Sequence, residues 1–176
     1  METKSIATFP CPWSMGVTFL TAITVIILSI STYYVWTNEL IWLKYTLIII
    51  FLATIIGVLL LMPLRLTIEN NKIILHRLIG SIHIHFKDII ELKGIPNSET
   101  AYSIRLFGSG GVCGYLGKFR NKKLGKYTMY ATNLDELILI RTDRKAYVFS
   151  CKNRDEFIES FNSLDRKSTR LNSSHG

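Results

Sequence analysis

Charge is missing from two stretches near the N-terminus. Between Ser14 and Trp36 there is no Asp, Glu, Lys, Arg or His, and between Tyr45 and Leu64 there is none either. At 1.5 Å per residue these runs make helices of roughly 35 and 30 Å, matching a bilayer hydrocarbon core of about 30 Å. A small domain cannot cover two helices that are apolar on every side, which excludes a pair of core helices in a soluble fold. The first run is too long for the apolar part of a cleaved leader, and no A-x-A-like site follows it. With no ionisable group inside either run, a proton relay or an ion path is excluded as well.

Cysteine is scarce and scattered, at Cys11, Cys113 and Cys151. The three form no C-x-x-C pair and no even-numbered framework, which excludes a disulfide scaffold. Cys11 precedes an apolar run instead of following one, unlike a lipoprotein cysteine. The phosphate-loop pattern G-x-x-x-x-G-K-[ST] is absent. Ser109 sits in GSGG, which is not the G-x-S-x-G nucleophile elbow. Cys113 and Cys151 could be paired with a histidine in principle. No catalytic set and no cofactor are expected.

What is present is an uneven distribution of hydropathy and charge. Mean hydropathy is +0.26 and net charge +8, with the apolar excess almost entirely ahead of Arg65. The reading is a cytoplasmic segment 1–13, a transmembrane hairpin 14–64 with spans 14–36 and 45–64, and a domain 65–164 with a core of its own. The connection Thr37 to Lys44 holds one acid, Glu39, and one base, Lys44, whereas the other flanks carry Lys4, Arg65, Lys72 and Arg77. The excess of bases on that side puts both termini in the cytoplasm. Tyr33, Tyr34, Trp36 and Trp42 at one end, and Trp13 at the other, suit the two interfaces. Gly57 has no G-x-x-x-G partner, so nothing specific points to helix dimerisation and the oligomeric state stays open.

The last residues read DRKSTRLNSSH from Asp165 to His175, the translation of a common sequencing-library adapter in one frame. Residues 165–176 are therefore set aside as an artefact, with the natural C-terminus lying beyond Leu164. Leaving out their three bases and one acid lowers the charge of +8 to about +6.

After Arg65 the pattern turns to short strands. Leu66–Glu69 and Lys72–Leu78 flank Asn70 and Asn71, a good type I′ turn. A two-residue loop of Ile79 and Gly80 sets Leu75 opposite Ile84 and His76 opposite His83. Ile73, Leu75, Ile82, Ile84 and Phe86 then face the core, with Ile74 on the outer face. Asp88–Leu92 extends this run; Ser103–Phe107, Tyr127–Thr132, Leu137–Arg141 and Ala146–Ser150 complete about seven strands. A capping box of Asn153 and Glu156 opens a helix whose apolar face is Phe157, Ile158, Phe161 and Leu164. The fold class is a mainly-β barrel or sandwich of about seven strands capped by a C-terminal helix, behind two transmembrane helices.

The order of strands then helix, with the stretch RLFGSGGVCGYLGKFRNKKLGKYTMYATN from Arg105 to Asn133, resembles the bacterial PH-like (pleckstrin-homology-like) domain membrane proteins. The resemblance implies a PH-like barrel behind two N-terminal spans in a bacterial cytoplasmic membrane. It carries over no phosphoinositide-binding residue, because no motif here matches the eukaryotic pattern.

Two constellations are candidates for binding. Between Glu99 and Asp135 there is no acid, and Lys118, Arg120, Lys122, Lys123 and Lys126 fall close together with Val112, Tyr115, Leu116 and Phe119 among or just before them. Bases with aromatics near a bilayer suit anionic lipid headgroups, at about 1 kcal/mol per surface Lys or Arg; the plainer alternative is a solvated loop whose glycines serve turns. His76, His83 and His85 share the outer strand face, where three imidazoles suit zinc, although no Cys or carboxylate joins them by spacing. No nucleic-acid motif is present. The favoured function is a non-catalytic, membrane-anchored binding module contacting lipid or a protein partner. The alternatives are a metal-dependent enzyme using the histidines, or an accessory subunit of a larger membrane complex.

Overall fold

The computed structural model describes residues 7–37, 41–69 and 71–173, with backbone alone for Ile41, Val58, Leu59 and 167–173. Lys4, Glu39 and Asn70 lie outside the described residues. In chain order come β1 (Ala7–Pro10), α1 (Met15–Thr37), α2 (Ile41–Leu61), β2 (Pro63–Glu69), β3 (Lys72–Arg77) and β4 (Ser81–His85). They are followed by β5 (Ile89–Ile95), a single turn α3 (Asn97–Thr100), β6 (Ile104–Gly111), β7 (Gly114–Asn121), β8 (Gly125–Ala131), β9 (Leu137–Thr142), β10 (Ala146–Ser150) and α4 (Arg154–Ser173). The described strands number ten, against the seven expected.

α1 is long and apolar enough to cross a membrane, and almost all of its residues are uncovered by protein. α2 starts earlier than the charge pattern suggested, taking in Lys44, and ends at Leu61, where Pro63 opens a strand. Lys44 tolerates this position because its ammonium reaches back over the Trp36 ring, 5.5 Å from the centroid. Among the described side chains the apolar stretch of α2 runs from Trp42 to Gly57.

The strands form two sheets, β1-β2-β3-β4 and β5-β9-β10-β8-β7-β6. The first draws its edge strand from ahead of α1: Phe9 pairs with Leu66 and Thr8 with Thr67. The joint is locked by Cys11 N–H to the Leu64 carbonyl (3.1 Å), Lys152 N–H to the Pro10 carbonyl (2.9 Å) and the buried Thr132 hydroxyl to the Pro12 carbonyl (3.0 Å). Ala7–Pro10, ahead of the helices, thus contribute a strand to the domain.

Leu66, Ile68, Ile73, Leu75 and Ile84 of the first sheet meet Leu116, Tyr130, Ile138, Ile140 and Phe149 of the second, and Phe157 and Phe161 of α4 close the core. Each such side chain contributes about 1.5–3 kcal/mol by leaving water. Leu137, Leu139, Val148, Met129 and Tyr127 make a second cluster on the other face of the larger sheet. β9 is therefore buried on both faces, which explains its unbroken Leu-Ile-Leu-Ile run.

The β3–β4 hairpin corrects one register. Leu75 faces Ile82, Ile73 faces Ile84 and His76 faces Ser81. The loop consists of Leu78 and Ile79, closed by Arg77 N–H to the Gly80 carbonyl at 3.2 Å, because Gly80 accepts the positive φ of 76° at the strand start. A two-residue loop shifted by one changes each partner by two, so the core face keeps its parity. Ile74 is nevertheless 3% exposed, not an open outer position. It sits on a central strand between Thr67 and His83, and neighbours on both sides shade it. Asn153 does not form the expected capping box. It is left-handed (φ 61°), and its amide Nδ2 donates to the Glu156 carboxylate at 2.9 Å.

Candidate functional site: a basic face on the larger sheet

The Gly-rich stretch forms strands, not a loop. Gly108 and Gly117 face each other across β6 and β7, with φ of 111° and 122°. A Cβ on Gly108 would fall on the Leu116 carbonyl oxygen, and one on Gly117 on that of Phe107. Glycine here permits two backbones to approach closely, a use that strand propensity counts against it. At the 111–114 tip, the Ser109 hydroxyl donates to the Val112 carbonyl at 2.5 Å. At the other end, Asn121 Oδ1 accepts from Leu124 N–H at 2.7 Å and shapes the 121–125 turn.

The five bases are spread along this meander. Lys118 and Arg120 project from one face of β7, Lys122 and Lys123 stand on the turn, and Lys126 is on β8; all are exposed. Arg120 lies directly opposite Lys126, and Lys118 opposite Thr128. Lys145, just ahead of β10, lines the same cleft as Lys126. Like charges directly opposite destabilise a sheet.

Lys118 and Lys126 open onto a cleft of about 630 Å³ whose other cations are Arg77, Arg144 and Lys145; among the described residues no carboxylate lines it. None of these residues is in an ion pair among the described residues. The Arg77 guanidinium lies over the Tyr130 ring, 5.8 Å from its centroid, while its Nε is buried without a hydrogen-bond partner. Burial pushes the Tyr130 hydroxyl up, and Arg77 opposes that shift. Exposed Leu106 is on the rim, and Ile104 and Phe107 stand beside it on edge strand β6. The sequence reading missed Arg77, Arg144 and Lys145, since no local spacing links them to the meander.

The helices meet the opposite end of these strands. Ser14 N–H bonds the Thr132 carbonyl at 2.9 Å, and Cys113 N–H at the tip bonds Thr21 Oγ1 at 2.7 Å. From there to the 121–125 turn is the length of β7, roughly 25 Å at 3.3 Å per residue.

The other candidates do not converge. His76, His83 and His85 do share the outer face, but His76 faces Ser81, and His83 and His85 face Ile74 and Lys72. No group of three or more His, Cys, Asp or Glu side chains is arranged to hold a metal among the described residues. Burial, with Arg65 and His83, holds His76 below the usual imidazole range against the pull of Glu69. Cys151 is a core thiol whose pKa burial drives upward, the opposite of nucleophile activation.

The family model described as bacterial PH domain matches residues 64–164. The chain belongs to the bacterial PH domain family. PH domains are typically non-catalytic binding modules. The matched residues begin at Leu64, so the strand that β1 adds to this PH domain lies outside them. Comparison with curated proteins and with solved structures gave no match.

Proposed function

We propose that this protein is a membrane-anchored, non-catalytic PH-domain module whose basic face binds an acidic surface on a protein partner. In this reading α1 and α2 both span a bacterial cytoplasmic membrane, with the termini and the PH domain on the cytoplasmic side. The observation that carries it is Arg120 opposite Lys126, with Lys118, Lys126 and Lys145 lining one cleft that holds no carboxylate among the described residues. A row of like charges is stabilised when an anionic partner arrives, and apolar rim residues such as Leu106 add area. Attraction to the bilayer surface fades over about 8–10 Å at physiological salt. The β7–β8 turn is separated from the helix-proximal tip by the whole of β7, which favours a protein over the anchoring membrane itself. Lys118, Arg120, Lys122, Lys123 and Lys126 are the residues proposed to make the contact, with anionic lipid as the second reading.

The test uses the full-length protein in neutral-lipid nanodiscs, with a fluorescent oligoglutamate peptide and phosphatidylglycerol vesicles as probes. The peptide is expected to bind in a salt-sensitive way and to be lost in Lys118→Gln/Lys126→Gln. Binding of vesicles alone would assign the face to lipid, and binding of neither would refute the reading.

A further inference from the structure

The turn between β3 and β4 is made of Leu78 and Ile79, 52% and 59% exposed. Solvated two-residue turns favour Gly, Asn, Asp and Ser, whose conformations or side chains close the turn in water. Two large aliphatics there leave apolar surface without protein cover. Nothing in the hairpin needs them: closure comes from the Arg77 N–H to Gly80 carbonyl bond, and Gly80 supplies the positive φ.

The pairing register locates this turn relative to the helices. Arg77 is the partner of Pro63, and α2 ends at Leu61, two residues earlier. β2 leads away from α2 and β3 returns antiparallel to it, so the chain beyond Arg77 continues past Pro63 toward the last turn of α2. At about 3.3 Å per residue, Leu78 and Ile79 reach the level at which that helix ends. Their flanks are cationic: Arg77 adjoins the turn, and Arg65 pairs with His76 next to it. The acid of the neighbouring strand β2, Glu69, is at the end away from this turn, paired with Lys72. Aliphatic tips with arginines one step behind them suit a bilayer interface, where apolar groups enter the acyl boundary and cations stay with the phosphates.

We infer that the turn of Leu78 and Ile79 is seated in the interface of the bilayer that holds α1 and α2, as a third contact fixing the tilt of the PH domain on its membrane. This rests on the reading of the two helices as membrane spans. Two spans and a wedge define a plane, which would hold the basic face of β7 and β8 at a set orientation.

The experiment separates the two claims. Full-length protein carrying Cys113→Ser, with Cys11 and Cys151 buried, is given one further cysteine at Leu78, Ile27 or Ile90. It is spin-labelled and reconstituted into liposomes. Ile27 lies within α1 and is 57% exposed; Ile90, on β5, is 64% exposed and follows the far end of the hairpin. Collisional access to oxygen and to a water-soluble nickel chelate reads depth. The Ile27→Cys label should favour oxygen strongly and the Ile90→Cys label the chelate. The Leu78→Cys label should show a several-fold higher oxygen-to-chelate ratio than Ile90→Cys. A Leu78→Cys label as aqueous as Ile90→Cys, with Ile27→Cys in hydrocarbon, would overturn the inference and leave the anchor intact. An aqueous Ile27→Cys label would overturn both. Dipolar broadening at Leu78→Cys, the mark of a second copy on the turn, would overturn the inference alone.

Discussion

The ring of Phe9 stands edge-on to the ring of Phe157, with centroids 5.2 Å apart and planes at 74°. One residue precedes the two apolar helices and the other lies on the C-terminal helix, so the PH domain is closed by chain from both sides of the helical pair. The helices are inserted into the domain between β1 and β2.

The first prediction follows from that contact. A fragment of residues 63–164 lacks β1 and exposes the β2 edge together with the Phe9 site. Joining residues 7–13 to it through a short Gly-Ser linker in place of the helices should raise its melting temperature. Phe9→Ala in the joined form should remove about 3–5 kcal/mol, as for other buried aromatics. Equal melting of the two fragments would show that β1 is dispensable.

The second concerns the glycine pair. Gly117→Ala should destabilise the full-length protein strongly, because the new methyl collides with the Phe107 carbonyl while φ is 122°. Gly125, at φ 74° with open space around it, should lose only about 1–2 kcal/mol on change to Ala, the ordinary penalty of a left-handed residue. Thermal melts in detergent compare the two. A milder effect at Gly117 than at Gly125 would contradict the close approach of β6 and β7.

The third is a pH dependence. Burial pushes the Cys11 thiol from 9.0 up to about 12 and drives Cys151 upward as well. Above pH 9 the unfolded chain releases these protons while the folded chain keeps them. The unfolded state then binds fewer protons, so stability falls as pH rises. The contribution is complete below pH 9 and is lost progressively toward pH 12. Melting temperatures measured between pH 8 and 10.5 should decline, and Cys11→Ala with Cys151→Ala should flatten the slope. A flat profile in the unaltered protein would contradict the burial of these thiols.

Local pattern was enough for several elements. Absence of charge defines α1 from Met15 to Thr37, since helix length and polarity need no distant partner. The spacing of Phe157 and Phe161 announced the buried face of α4, and alternation from Ile73 to Ile84 announced which side of β3 and β4 turns inward. Other features depend on pairing between distant segments, which no local periodicity encodes. β1 is a strand because β2 offers an edge to it beyond two helices. The glycines of β6 and β7 are strand residues because each meets the other's backbone. Ile74 is shaded by neighbours on both sides, and a shift of one residue in a turn decided which residues face His76 and His83. The basic cleft needed both kinds of information. Lys118 and Lys126 were visible as a charge cluster, but Arg77 and Lys145 join them only because β8 and β10 pair in parallel and the smaller sheet lies against the larger one. Sequence by itself determined the elements whose stability is local, and tertiary structure decided which chemical groups share one surface, because strand pairing is a long-range choice made by the fold as a whole.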